Sequence, residues 1–183
     1  MNLRQLHRRS APFIFVPLLI SASTGLLAII GTEWFRMPEE FGDFMMFFHE
    51  GRFLGKPLVP IYILLVGIGL LGMIVTGIGM LKKQFRFPNK FHWRSMHQFL
   101  APIAMLPLLV SIVTGVGYRL GRNWLNVPKF QIGILLKIHQ GLYFGSVGQS
   151  IYIFLLGISL ITLIVTGMQM TGIFPKRGGN SPS

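Results

Sequence analysis

The chain of 183 residues contains no cysteine and only five acidic residues. Without cysteine there is no disulfide, no zinc site of the cysteine type and no thiolate-held iron–sulfur cluster, so redox chemistry would have to use histidine or a bound cofactor. Charge of either sign is scarce: 12% of residues are charged and 51% hydrophobic, with a mean hydropathy of +0.59. A water-soluble domain of this size could not hide so much apolar surface, which points to an integral membrane protein. The formal charge of +12 does not indicate nucleic-acid binding, because the basic residues cluster between apolar spans rather than along one amphipathic face.

What is present is a set of long uncharged runs. No Asp, Glu, Lys or Arg occurs between Arg9 and Glu33, nor in 57–81, 95–118 or 138–175. A bilayer crossing needs about 20 apolar residues, so four transmembrane helices are expected near 11–31, 58–81, 98–119 and 148–173. The runs are continuous rather than alternating, and a barrel needs more strands than this length allows, so the fold class is all-α. The basic, then apolar, start resembles a signal peptide and Arg8-Arg9 a twin-arginine signal; the apolar stretch is too long for either, and its counterpart at 101–121 lies mid-chain.

One set of span ends carries Arg4, Arg8, Arg9, Lys82, Lys83, Arg86, Lys90, Arg94, Lys176 and Arg177; the other carries seven basic residues and all five acids. The positive-inside rule therefore places both termini in the cytoplasm, and a bacterial inner or a thylakoid membrane is the expected host. Trp34 and Trp124 fall just beyond the outer ends of the first and third spans, where indole rings anchor helices at the interface. The segment from Glu39 to Glu50 reads as an interfacial helix on the outer side, with His49 near its end and Phe41, Phe44, Met45 and Phe48 laid on the bilayer or the bundle.

Shifted by ninety residues without a gap, the sequence matches itself at 27 of the 74 positions from His7–Met80 to His97–Met170. The matches include Ala11-Pro12 with Ala101-Pro102, Thr24-Gly25 with Thr114-Gly115, Ile61-Tyr62-Ile63 with Ile151-Tyr152-Ile153, and Val75-Thr76-Gly77 with Val165-Thr166-Gly167. Such self-similarity is the mark of a tandem duplication of a helical hairpin, in units 1–90 and 91–174 followed by a disordered tail, 175–183. Two crossings return the chain to its starting side, so the units should be related by a pseudo-twofold axis along the membrane normal.

Four of the five histidines obey the repeat, His7 with His97 and His49 with His139, while His92 stands opposite Asn2. A single histidine at a helix end is more often an anchor or a cap. Four in register suggest a site, because an ionisable side chain near hydrocarbon is costly. Two imidazoles directed at one point from opposite faces are what a six-coordinate haem iron requires. Two haem b groups are therefore expected, one ligated by His7 and His97 and one by His49 and His139. The chain has no Cys-x-x-Cys-His site for covalent attachment. Arg8 and Arg94 on the cytoplasmic side, and Arg52 and Lys137 on the outer side, are candidates to pair with the propionates, although each can equally be a solvated topology charge. Gly25, Gly77, Gly115 and Gly167 could let a flat macrocycle approach the backbone, but small residues also serve helix packing, the role assigned to Gly67, Gly72 and Gly157.

Leu6-His7-Arg8 followed by Thr24-Gly25, and Phe48-His49 followed by Gly67 and Val75-Thr76-Gly77, resemble the PepSY-associated transmembrane family, which includes membrane reductases of ferric siderophores. The similarity recurs once per unit. It implies a four-helix membrane core whose b-type haems are held by His7, His49, His97 and His139, and electron movement across the membrane; no PepSY domain lies between these helices. The resulting expectation is a dihaem cytochrome exchanging electrons with donor and acceptor proteins or quinol. The alternative is a non-enzymatic subunit of a larger respiratory or photosynthetic complex that binds pigment or haem structurally.

Overall fold

The computed structural model describes residues 2–81 and 92–172, and among these the chain forms six α-helices and no strand. They are α1 (Leu3–Ile29), α2 (Glu39–His49), α3 (Val59–Ile78), α4 (Trp93–Asn123), α5 (Lys129–His139) and α6 (Gly145–Thr171). Four segments are long and apolar enough to cross a membrane: Leu3–Trp34, Val59–Ile78, Trp93–Asn123 and Leu142–Thr171. At 1.5 Å per residue even the shortest reaches about 30 Å, the thickness of a hydrocarbon core. The basic connector carrying Lys82, Lys83, Arg86 and Lys90, and the tail from 175 onward, lie outside the described residues.

Two of the long helices begin well before hydropathy indicates. α1 starts at Leu3, where the Asn2 side chain accepts a 2.9 Å hydrogen bond from the Gln5 amide, and α4 starts at Trp93. Hydropathy marks the segment that suits hydrocarbon, whereas the backbone stays helical beyond it with Arg4, Arg8 and Arg9 exposed. His7 and His97 consequently stand inside helices rather than ahead of them. Pro12, Pro17, Pro102 and Pro107 are accommodated within α1 and α4 without ending either helix. At the other end α1 widens into a π-helical turn, Ile30–Trp34.

α1 packs on α3 and α6, and α4 packs on the same two helices, so the four long helices form a ring with α1 and α4 on one diagonal and α3 and α6 on the other. The short helices are appended, α2 against α1 and α5 against α4. Both short helices lie at the end of the bundle opposite Leu3 and Thr171, here called the far end; the end holding Leu3, Ile78, Trp93 and Thr171 is the near end.

The packed interior is thin and built from small or slender residues: Leu18, Ala22, Leu26 and Ala28 of α1, Val59 of α3, Ala104 and Leu108 of α4, and Met168 of α6. Many large apolar side chains face outward, among them Phe13, Leu65, Leu106 and Phe130. Lipid tails are as apolar as these side chains, so close packing and polar contacts, rather than expulsion of water, hold such a bundle together. Gly67 and Gly157 take part in that packing, since a Cβ on them would run into Val116 and Leu26 respectively. Gly72 does not, because a Cβ there would meet nothing within 4 Å.

Local geometry recurs at a spacing of ninety. Arg36 and Asn126 both adopt the left-handed backbone conformation, with φ 54° and 52°, at the corner before Pro38 and Pro128. Gly51 and Gly141, at φ 69° and 67°, close α2 and α5 two residues after their terminal histidines, where a side chain would be strained and would strike Tyr62 or Tyr152.

Candidate functional site

The four repeat histidines come from different elements: His7 from α1, His97 from α4, His49 from the end of α2 and His139 from the end of α5. The structure brings them together as two pairs. The ring centres of His7 and His97 are 6.5 Å apart with an interplanar angle of 82°, and those of His49 and His139 are 6.3 Å apart at 50°.

Each ring is held through Nδ1. At the near end His7 Nδ1 lies 2.7 Å from Thr76 Oγ1 and His97 Nδ1 lies 2.9 Å from Thr166 Oγ1. Both threonine hydroxyls already donate to a carbonyl one turn back, Thr76 to Gly72 at 2.7 Å and Thr166 to Thr162 at 2.6 Å. Their oxygens can therefore only accept, so the imidazole donates from Nδ1 and keeps the lone pair on Nε2. At the far end the partner is a backbone carbonyl: His49 Nδ1 donates to Ser21 O at 2.8 Å and His139 Nδ1 to Ser111 O at 2.9 Å. The same tautomer results. A ring that donates one N–H to a fixed oxygen while its other nitrogen keeps a lone pair is the usual arrangement of a metal-ligating histidine. Burial pushes the His49 pKa down to about 4, against the opposing hydrogen bond to Ser21, and burial likewise lowers that of His139. Both are neutral at physiological pH, as ligation requires.

The spacing also suits a shared metal ion. An imidazole nitrogen bonds a metal at about 2.0–2.1 Å and the ring centre lies roughly 1.1 Å farther, so two rings on opposite sides of one ion have centres about 6.3 Å apart. Both pairs match that value. In each half the near-end histidine and the serine that binds the far-end histidine are fourteen positions apart on one helix, His7 to Ser21 and His97 to Ser111. A helical rise of 1.5 Å per residue puts the two pairs roughly 21 Å apart along the bundle.

The Thr-Gly pairs stand beside these rings. A Cβ on Gly25 would come within 2.9 Å of His49 Nδ1, one on Gly115 within 2.8 Å of His139, and one on Gly167 within 3.3 Å of His97. At Gly77 the corresponding distance to His7 is 3.8 Å, an ordinary contact. Gly25, Gly115 and Gly167 thus leave room for the imidazoles beside them.

The far-end pair opens onto a cavity of about 260 Å³ lined by residues of all six helices, including Ser21, Gly25, His49, Gly115 and His139. Among the other polar residues that line it are Glu50, Arg119 and Tyr62, none of them a site candidate in the sequence. Arg119 pairs with Glu50 through its NH2, and the other oxygen of Glu50 lies 3.1 Å from Arg52 Nε. Tyr62 has the one buried side-chain polar atom that lacks a hydrogen-bond partner among the described residues, its hydroxyl. Sequence reasoning missed Arg119 because it looked for matches between the halves, whereas Arg119 stands opposite Ile29.

The basic residues expected at propionates are less uniform. Arg8 donates to the Thr171 carbonyl at 2.9 Å from Nε and 2.7 Å from NH2, capping the end of α6. Arg52 belongs to the far-end cluster, while Arg94 and Lys137 are exposed. No family model, curated protein or solved structure matches the chain.

Proposed function

We propose that this chain is a dihaem b-type membrane cytochrome that relays electrons across the membrane, with a core like that of a ferric reductase. The observation that carries the reading is the pair of histidine couples with ring centres 6.5 and 6.3 Å apart, each ring held at Nδ1 with Nε2 left to ligate. His7 and His97 would hold one haem and His49 and His139 the other. When bound, haem iron supplies one-electron redox chemistry. The protein's part is to fix the ligand tautomers through Thr76, Thr166, Ser21 and Ser111, and to hold the two pairs roughly 21 Å apart along a path that crosses the hydrocarbon layer. A respiratory or photosynthetic subunit binding pigment is the weaker reading, since a pigment magnesium takes one axial ligand and here the imidazoles come in couples.

Three further readings belong with this one. The recurrence of the same hydrogen bonds and left-handed residues at a spacing of ninety supports a tandem duplication with a pseudo-twofold axis along the membrane normal. In the sequence, the span ends on the side of the termini carry ten Lys and Arg against seven on the other side, which supports cytoplasmic termini. Donor and acceptor would be proteins or quinol, and the resemblance to the PepSY-associated transmembrane family points the same way.

A pyridine haemochrome spectrum of the purified protein tests the function: a b-type spectrum is expected, and a pigment spectrum or none would overturn the reading. For orientation, a reporter fused after Ser183 should be cytoplasmic and one inserted near Lys129 should be outside; the reverse would invert the topology.

A further inference from the structure

The far-end cavity is lined unequally by the two halves of the chain. Its histidines, serines and glycines have counterparts ninety residues on, but its charges do not. Glu50 stands opposite Gln140, Arg52 opposite Leu142, and Arg119 opposite Ile29. Glu50 lies between the two guanidinium groups, Arg119 on one oxygen and Arg52 on the other. Two positive groups and one negative leave a net charge of +1 in this cluster. Glu50 is nearly buried, with its side chain 13% exposed, and Arg119 is 28% exposed, whereas Arg52 is 42% exposed and does not line the cavity.

A guanidinium has five N–H donors in a fixed fork, and the contact with Glu50 is made through NH2. Donors therefore remain for a second anion on the cavity side. Tyr62 lines the same cavity and its buried hydroxyl is a donor without an acceptor. A buried polar group is normally paired, so an orphaned donor lining the same cavity as an excess positive charge indicates an anionic acceptor that completes both.

We propose that Arg119, positioned by Glu50 and seconded by Tyr62, is the anion-binding residue of the far-end site and takes a propionate carboxylate of the macrocycle held by His49 and His139. The proposal rests on the haem reading above. It moves the carboxylate partner from the exposed Lys137 and Arg52 to a residue inside the cavity, and it makes the two halves inequivalent at this site, so that the macrocycle is bound in one orientation.

The experiment is a titration of the haem-free protein in detergent with haem and with its dimethyl ester, in which the propionate charges are absent. A His97→Ala background restricts binding to the far-end site, and Arg119→Met is compared with unaltered Arg119. If Arg119 holds the carboxylate, esterification and Arg119→Met each weaken binding roughly tenfold to a hundredfold, and combining them costs no more than either alone. Arg119→Lys, which keeps the charge but loses the fork, should fall between. In the otherwise intact chain Arg119→Met should retain the near-end haem, which reports that the bundle is folded; should Arg119→Met not fold, the same comparison is made with Arg119→Lys. Losses that simply add would overturn the Arg119 assignment while leaving the haem reading in place. If neither haem nor its ester gives a bis-imidazole spectrum with any of these proteins, the haem reading fails and the proposal falls with it.

Discussion

The two histidine couples have nearly the same ring separation yet are supported in different ways. At the near end the imidazoles donate to threonine hydroxyls on α3 and α6, the helices of the other diagonal. At the far end they donate to main-chain carbonyls of α1 and α4, on which α2 and α5 pack. A carbonyl in a membrane helix is available to accept without any particular side chain, whereas a hydroxyl must be supplied by the residue at that position. The near-end site is therefore open to adjustment by a single substitution, while the far-end site is defined by how closely two short helices approach two long ones. That approach depends on glycine.

The largest expected effect follows from this. Gly115→Val or Gly25→Val should abolish the far-end haem and spare the near-end one, because a Cβ already lies 2.8 or 2.9 Å from the ring it would face. Haem content of the purified variants checks it, and loss of both haems from a folded protein would erase the distinction between the two ends. Next in size, Thr76→Val or Thr166→Val should weaken near-end haem binding by about tenfold to a hundredfold, the usual cost of losing the group that orients a ligating histidine. Ser21→Ala should leave the far-end affinity unchanged, since His49 is held by the Ser21 carbonyl at 2.8 Å and the hydroxyl is at 3.4 Å. Parallel titrations would show whether side-chain and main-chain support differ in this way.

Smaller effects sharpen the comparison within the near end. Gly167→Ala should perturb the near-end spectrum slightly, with Cβ 3.3 Å from His97, and Gly77→Ala less, with 3.8 Å to His7. A resonance Raman or absorption shift larger for Gly77→Ala would contradict the ordering. His92→Ala should leave both haems in place. On a continuous helix His92 and His97 would point about 140° apart, but the structure separates them differently: His92 is the exposed, extended residue that caps α4, and it sits outside the helix that carries His97.

Much of this site could be read from the sequence, and for a physical reason. Histidine, Thr-Gly pairs and the glycines after each short helix occur twice at a spacing of ninety, and they meet matching contacts in the two halves. The helix expected at Glu39–Glu50 is present as α2, Glu39–His49. The starts of α1 and α4 were not legible, because Arg4, Arg8 and Arg9 break the apolar run while the backbone remains helical. Gly72 was read as a packing residue and faces open space; only neighbouring helices decide what a glycine meets. Arg119 was hidden among topology charges, since its importance comes from a contact with Glu50, 69 positions earlier on another helix. An unmatched charge inside an otherwise matching repeat was the signal that could have found it.

On the proposed function, one metal-centred group sits between each histidine couple. This is tested most directly by counting haem per chain in the purified protein and in His7→Ala, His97→Ala, His49→Ala and His139→Ala, each followed by electron paramagnetic resonance of the ferric state. Two low-spin haems are expected in the unaltered chain and one in every variant, with the His7 and His97 variants losing the same signal and the His49 and His139 variants losing the other. Variants of one couple that lose different signals, or an unaltered chain that holds no haem, would contradict it.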